Sequence, residues 1–318
     1  MLDLQERQAA ATAAAASPAI HCVDLAKHYG KTVALANLTM TVPRGEVFGF
    51  LGPNGAGKTT AVKLLVGLIP ATSGEGWMLG KPLGDRQVRR RIGYLPELFR
   101  YQPWLTAPEV LRVHCELARL PRSSWKTEIE GAMTLVGLAG RERDRVGTYS
   151  KGMQQRLGLG VALLGSPDLV FLDEPTSALD PVGRHDVRQI LHHLRERGCA
   201  VFLNSHLLTE VEMVCDRVAM VDHGRVIASG TLDDLLGGKS CRIRVTGLDP
   251  RQRGSLRAFG DLDDDGEWIT VRGLEPERVP EVVDEIVRQG GRVYAVEPRH
   301  LSLEDRFLQL LGEGEKDS

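Results

Sequence analysis

Residues 52–59 read Gly-Pro-Asn-Gly-Ala-Gly-Lys-Thr, which fits the phosphate-binding pattern G-x-x-x-x-G-K-[ST]. The chemistry of that spacing is anion capture. Gly52, Gly55 and Gly57 let the backbone turn so that several N–H groups point at one phosphate. A helix beginning near Lys58 aims the positive end of its dipole at the same point. Lys58 can then reach the β- and γ-phosphates of a nucleotide, and Thr59 can offer a hydroxyl to Mg²⁺. Pro53, Asn54, Ala56 and Thr60 complete the expected contact set.

Two further groups could do chemistry. Asp173 and Glu174 end the apolar run 169–172, and in a doubly wound sheet ligands bind at the carboxyl ends of strands. Asp173 is expected to hold Mg²⁺ through its waters. Glu174 is expected to orient or deprotonate the water that attacks the γ-phosphate. Ser150 is a good helix N-cap, and Gly152 leaves the first-turn amides open to an anion. Taken alone, that third group reads first as an ordinary capped helix.

The elements that must position these residues follow from periodicity and turn chemistry. Residues 47–51 form a short apolar run before the glycine loop, and 60–66 suit a helix after it. Strands are expected at 20–29 and 33–42 around Gly30-Lys31, then at 92–95, 169–172, 199–204, 218–221 and 226–228. Thr106-Ala-Pro-Glu109 is a capping box opening a helix to about residue 120. Further helices are expected at 124–136, 151–165 and 181–197. Apolar strands alternating with helices predict an α/β fold, a P-loop nucleotide-binding domain with a mostly parallel sheet. Residues 241–245, 268–271 and 292–296 read as strands, and 279–289 and 303–311 as helices, of a small C-terminal α+β domain. The expected organisation is a tail over 1–18, a nucleotide-binding domain over 19–236 with a helical block at about 98–166, and the appendage over 240–318.

Composition narrows the setting. The chain has 318 residues, a net charge of −2 and a pI near 6.5, so no global field attracts nucleic acid or an anionic membrane. Five scattered cysteines without a C-x-x-C suit buried, reduced thiols in the cytosol. No uncharged apolar run approaches the length of a membrane helix, and the Ala-rich start lacks the features of a signal peptide. Asp261 to Gly266 imitates the start of a calcium loop, but position twelve is Arg272, so a hairpin turn is expected. His185, His192 and His193 lack metal spacing, and 86–91 reads as a solvated helix face.

Residues 173–180, Asp-Glu-Pro-Thr-Ser-Ala-Leu-Asp, resemble the ATP-binding subunits of ABC transporters. Tyr149-Ser-Lys-Gly-Met-Gln-Gln-Arg156 resembles that family's signature sequence, and the likeness covers about residues 20–235. It implies antiparallel β and helical subdomains. It places Tyr29 at the aromatic that stacks on adenine, His206 at the switch histidine, and Ser177 to Asp180 in the loop that crosses between paired subunits. It also implies that the site at Ser150 and Gly152 closes on ATP held by a second copy, so that ATP and Mg²⁺ lie between two protomers of a homodimer. Lys151 and Met153 stand where the commonest signature has glycine and glutamine. Glu97 replaces the usual glutamine in Ile92-Gly-Tyr-Leu-Pro-Glu97, where its carboxylate can still ligate the metal or its water. The large residues of 98–105 are expected both to pack on the helical block and to receive a short helix from a membrane partner. The ending 301–308 resembles the appendage of bacterial drug- and polysaccharide-export subunits. The resemblance therefore implies an ATPase that powers a membrane exporter, bound peripherally at the cytoplasmic face beneath separately encoded permease subunits. The main rival is a soluble ABC-type ATPase acting on ribosomes or DNA, but the second nucleotide domain or long coiled coil usual there is missing from the sequence. A switch GTPase is disfavoured by the lack of an N-K-x-D motif.

Overall fold

The structure is a computed structural model that describes residues 17–236, 240–299 and 302–314. Five strands are buried or nearly so along their length because helices cover both faces of the sheet they form. They are β3 (Val47–Leu51), β6 (Ile92–Leu95), β7 (Leu169–Asp173), β8 (Ala200–Asn204) and β9 (Arg217–Asp222). Their pairs are all parallel where registered: β3 with β8 and β9, β7 with β8, and β6 with β7. Phe48, Phe50 and Phe171 pack their rings on Phe202 at 5.1–5.9 Å in the middle of this layer.

An antiparallel flank continues the sheet. β1 (Ile20–Tyr29) pairs with β2 (Thr32–Val42) and with β4 (Ser73–Met78), and β4 pairs with β5 (Lys81–Pro82). The full ten-strand order is β5-β4-β1-β2-β10-β9-β3-β8-β7-β6, with β10 at Arg225–Thr231. Sequence periodicity misses β4, whose first three residues are exposed and which two glycines interrupt before the buried Met78, and β5, which is only two exposed residues long.

Helix α1 (Lys58–Leu65) follows β3, and the four-residue α2 (Arg86–Arg89) is capped by Asp85. The helical block comprises α3 (Ala107–Leu117), α4 (Trp125–Leu135) and α5 (Lys151–Ala162). The Glu109 carboxylate accepts from the Thr106 N–H at 2.8 Å, the capping box read from sequence. α3 stops before residue 120 because Arg119 takes a left-handed φ of 57°, and α5 stops before Gly165, which does the same at 74°. α6 (Pro181–Glu196) precedes β8 and α7 (Leu208–Val214) follows it; sequence reading did not assign α7.

The chain divides into two compact units between Ser229 and Gly230. In the second, Thr231 caps the short α8 (Leu232–Leu235). Four antiparallel strands follow in the order β12-β13-β11-β14: β11 (Ser240–Thr246), β12 (Asp261–Asp264), β13 (Trp268–Arg272) and β14 (Arg292–Arg299). Ile243, Val245, Leu256, Ile269, Val271, Val282 and Ile286 form its core, with α9 (Pro250–Ser255) and α10 (Val279–Arg288). A last helix, α11, spans Leu303–Gly314. The acidic run at 261–265 is a hairpin: Arg272 reaches Asp263 at 3.1 Å, and Asp265 accepts the Trp268 N–H at 2.7 Å. The expected tail over 1–18 lies outside the described residues except at Ser17 and Pro18, and the Ser17 carbonyl accepts from Arg44 Nε at 2.8 Å. Residues 237–239, where the sequence suggests a boundary, also lie outside them.

Candidate active site

Parallel pairing brings the carboxyl ends of β3, β7 and β8 to one edge of the sheet, and the phosphate-loop and strand-end candidates lie there. The loop after β3 turns into α1 through Gly57, whose φ of 98° is left-handed. A Cβ on Gly57 would fall on the Ala34 carbonyl oxygen, and one on Gly52 would fall on the Val221 carbonyl oxygen. The loop is thus pressed on two neighbouring strands and has no room for side chains at these positions. Ala56 is buried beneath it, while Asn54, Gly55 and Thr59 are exposed at its mouth and Pro53, Lys58 and Thr60 are half-buried. Lys58 Nζ donates to the carbonyls of Gly52 at 2.7 Å and Pro53 at 3.0 Å. Burial lowers the pKa of its ammonium, and Glu174, Asp173 and Glu97 oppose that shift.

Asp173, 2% exposed, ends β7 opposite Asn204 of β8. Asn204 Nδ2 donates to Asp173 Oδ1. Burial raises the pKa of Asp173. The amide bond from Asn204 opposes this; the charges of Glu97 and Glu174 add to it, and the Glu97 N–H opposes it. Among the described residues no three acidic, His or Cys side chains close on a ready-made metal cage, so a Mg²⁺ here would need phosphate oxygens and water to complete its shell beside the buried Asp173 carboxylate.

Glu174, 8% exposed, has a left-handed φ of 53°, which costs about 1 kcal/mol or more in a non-glycine residue. The turn is held by its neighbours. The Glu174 N–H donates to the Asn204 carbonyl at 2.8 Å, and the Glu174 carbonyl accepts from Gln155 Nε2 at 3.3 Å and Ser177 Oγ at 3.1 Å. The carboxylate is fixed by His206, whose backbone N–H donates to Oε1 at 2.9 Å and whose Nδ1 lies 2.8 Å from Oε2. No directed hydrogen bond among the described residues reaches Oε2. Gln155 and Asn204 are the partners that sequence reasoning missed. Their only signal was position, Gln155 within the signature-like run and Asn204 at a strand end.

Tyr29 ends β1 half-exposed, and Lys27 Nζ sits 5.1 Å from its ring centroid while donating to the Pro70 carbonyl. Ser150, Gly152 and Asp180 gather elsewhere. Ser150 Oγ accepts the Met153 N–H at 3.2 Å and caps α5. Asp180 Oδ1 accepts the Gly183 N–H at 2.8 Å and caps α6. Both line an open cleft of 630 Å³ with Gly152, Lys151, Arg141 and Leu179, and no residue of the phosphate loop is in its wall. In the 98–105 segment Phe99 and Tyr101 turn inward, with rings 5.3 Å apart, while Leu98 and Trp104 are 87% and 65% exposed.

This is a P-loop nucleotide-hydrolysing fold, and comparison with known proteins agrees. Residues 35–177 match the ABC transporter family. An uncharacterised ABC transporter ATP-binding protein of Nostoc sp. is 40% identical over 87% of this chain and 83% of its own length. The bacitracin transport ATP-binding protein of Bacillus licheniformis is 37% identical over 94% of this chain and 99% of its own. A solved structure of the ATP-binding subunit of an ABC transporter, 31% identical, superimposes with a TM-score of 0.63 over 68% of this chain and 91% of its own. The chain belongs to the ATP-binding proteins of ABC transporters. It is the ATP-hydrolysing subunit of a membrane transporter, and the ribosome- or DNA-acting alternative is not favoured. No helix among the described residues is long and apolar enough to cross a membrane.

Proposed function

We propose that this subunit drives an exporter of drug-like molecules, working with Mg²⁺ as a homodimer on the cytoplasmic face of the membrane beneath separate permease subunits. The carrying observation is the convergence of Lys58, Asp173, Glu174 and His206 at one sheet edge while Ser150 and Gly152 open on another cleft. A single chain thus offers two incomplete sites, and a two-fold pair completes both. The likeness to a bacitracin transport subunit over nearly its whole length, C-terminal unit included, supports export.

In this reading, ATP phosphates displace the loop carbonyls from Lys58, whose charge then neutralises the β- and γ-phosphates. Thr59, Asp173 and Glu97 would hold Mg²⁺, which when bound offsets the charge developing on the phosphate oxygens. Glu174 accepts a proton from, or orients, the attacking water, and His206 fixes its carboxylate. Ser150 and Gly152 of the second copy present first-turn amides to the γ-phosphate, Asp180 crosses beside them, and Tyr29 stacks on adenine. The domain limits read from sequence, with the nucleotide-binding domain over 19–236 and the appendage from 240, belong to the same proposal. The experiment is co-expression with the permease found beside the chain in its host. Export and partner-stimulated hydrolysis should both require Glu174. Export that survives Glu174→Gln overturns the reading.

A further inference from the structure

Two helices behind the candidate site are joined by a charge pair that the proposed reaction does not use. Arg188 lies on α6 and Glu210 on the first turn of α7, and Arg188 Nη1 donates to Glu210 Oε2 at 2.8 Å. The Glu210 side chain is 12% exposed, so the pair is largely out of water. It helps to wall a cavity of about 10 Å³, at the limit for one water, together with Pro175 and Thr176 after Glu174 and Ser205 before His206. From Glu210 the path to Glu174 is short and hydrogen-bonded throughout. The Glu210 N–H donates to the Leu207 carbonyl at 3.0 Å, and the Leu207 N–H donates to Ser205 Oγ at 3.2 Å. Between them, the His206 N–H donates to Glu174 Oε1 at 2.9 Å. α7 has a second anchor on β3, where a Cβ on Gly49 would stand 2.9 Å from Val211 Cγ1 and 3.1 Å from Cys215 Sγ. Shape thus fixes the body of α7 against the strand that leads to the phosphate loop, and charge fixes its first turn against α6. The His206 side chain is itself exposed, so its aim depends on the backbone that carries it.

We propose that Arg188 and Glu210 are positioning residues, which set the first turn of α7 and with it the place from which His206 fixes the Glu174 carboxylate. This rests on the reading of Glu174 as the group that handles the attacking water. Removing either partner strands a half-buried charge one turn from His206, and the turn must shift to bring that charge to water. Glu174 sits in a left-handed turn that glutamate does not favour, so its carboxylate keeps its direction only while the contacts from the His206 segment hold. Sequence gives no sign of the pair, whose members are 22 positions apart and share no motif.

The test separates kcat from KM in the full chain. Arg188→Met keeps the length of the side chain and removes its charge. It should lower kcat for ATP by about tenfold and leave KM within about twofold, the mark of a group that acts after binding. Arg188→Lys should keep most of the rate, and Arg188→Glu combined with Glu210→Arg should retain more rate than either change alone. In a His206→Ala chain, Arg188→Met should cost nothing further, because the group it positions is gone. A kcat within about twofold of wild type in folded Arg188→Met overturns the proposal, as does a full loss repeated in the His206→Ala background. Amide exchange of the nucleotide-free chain reads the positioning without any turnover. The His206 N–H should exchange about tenfold faster or more in Arg188→Met, while the amides of β7 and β8 keep their wild-type rates. An unchanged His206 rate overturns the proposal. Glu174→Gln that hydrolyses ATP like wild type removes the proposed role of Glu174, and the exchange rate then decides the positioning of His206 by itself.

Discussion

The two halves of the candidate ATP site are built differently. The half at Lys58, Asp173 and Glu174 sits at the carboxyl ends of buried parallel strands; Asn204 holds Asp173 and His206 holds Glu174 across 31 and 32 positions of chain, while Lys58 is held by the carbonyls of its own loop. The half at Ser150 and Gly152 is a helix end on the surface, held by one local cap from Ser150 to Met153. The first is preorganised and carries electrostatic strain. The second has little to do until something is brought to it. A rigid half that holds reactants and an exposed half that waits for them suit a reaction switched on by association.

Breaking the preorganised half should have the largest effect. Glu174→Gln removes the proposed proton acceptor and keeps the shape, so steady-state turnover should fall by roughly 10²–10⁴-fold with ATP affinity spared. Hydrolysis within a few-fold of wild type would take Glu174 out of that role. Setting one half against the other comes next. Lys58→Ala and Ser150→Arg should each be inactive alone. Mixed in equal amounts, they should recover up to about half of wild-type activity, because neither chain dimerises with itself and each mixed dimer holds one intact composite site. No recovery under conditions where mixed dimers form would break the comparison.

Smaller effects sharpen it. Glu97 is exposed beside the buried Asp173, and Glu97→Gln keeps an oxygen ligand while dropping a charge. Basal hydrolysis should change by about tenfold or less, about 1.4 kcal/mol in barrier, in an assay at saturating ATP. Glu97→Ala should reduce partner-stimulated hydrolysis more than that of the isolated subunit. Strain at Asp173 can be read as stability. Its pKa is raised in the fold, so its contribution to stability is present below the unfolded carboxylate value and is lost as pH rises through the raised one. Asp173→Asn, which can still accept from Asn204, should therefore raise the melting temperature of the nucleotide-free chain at pH 7.5. The rise should be roughly 2–4 °C, as expected for a change of about 1 kcal/mol in a domain of this size, and it should shrink toward pH 4.5 in calorimetry. No rise at pH 7.5 would mean that Asp173 is not strained.

The same contrast explains what the sequence discloses. The phosphate loop, the strand-end carboxylates and the caps at Thr106 and Ser150 are local patterns, and local patterns survive in one dimension. The partners that tune them do not. Asn204 meets Asp173 through the register of β8 on β7, 31 positions away, and Gln155 reaches the Glu174 carbonyl from a helix. The left-handed backbone at Glu174 is imposed by those contacts and has no residue signature, since glutamate does not favour it. β4 escaped because two glycines and three exposed residues leave too short an apolar pattern, and the edge strand β5 because two exposed residues carry no alternation. The 98–105 segment was legible only as a mixture, and the structure separates it into inward Phe99 and Tyr101 and outward Leu98 and Trp104.

The central claim is that the exposed half completes the buried half of another copy. Sedimentation velocity of Glu174→Gln with saturating Mg-ATP tests it most directly, because ATP should persist once the proposed proton acceptor is gone. The account predicts a shift from monomer to dimer on adding Mg-ATP, absent with ADP and abolished when either Ser150→Arg or Lys58→Ala is added. A Glu174→Gln chain that binds Mg-ATP and remains monomeric at tens of micromolar, or a dimer indifferent to Ser150→Arg, would contradict it.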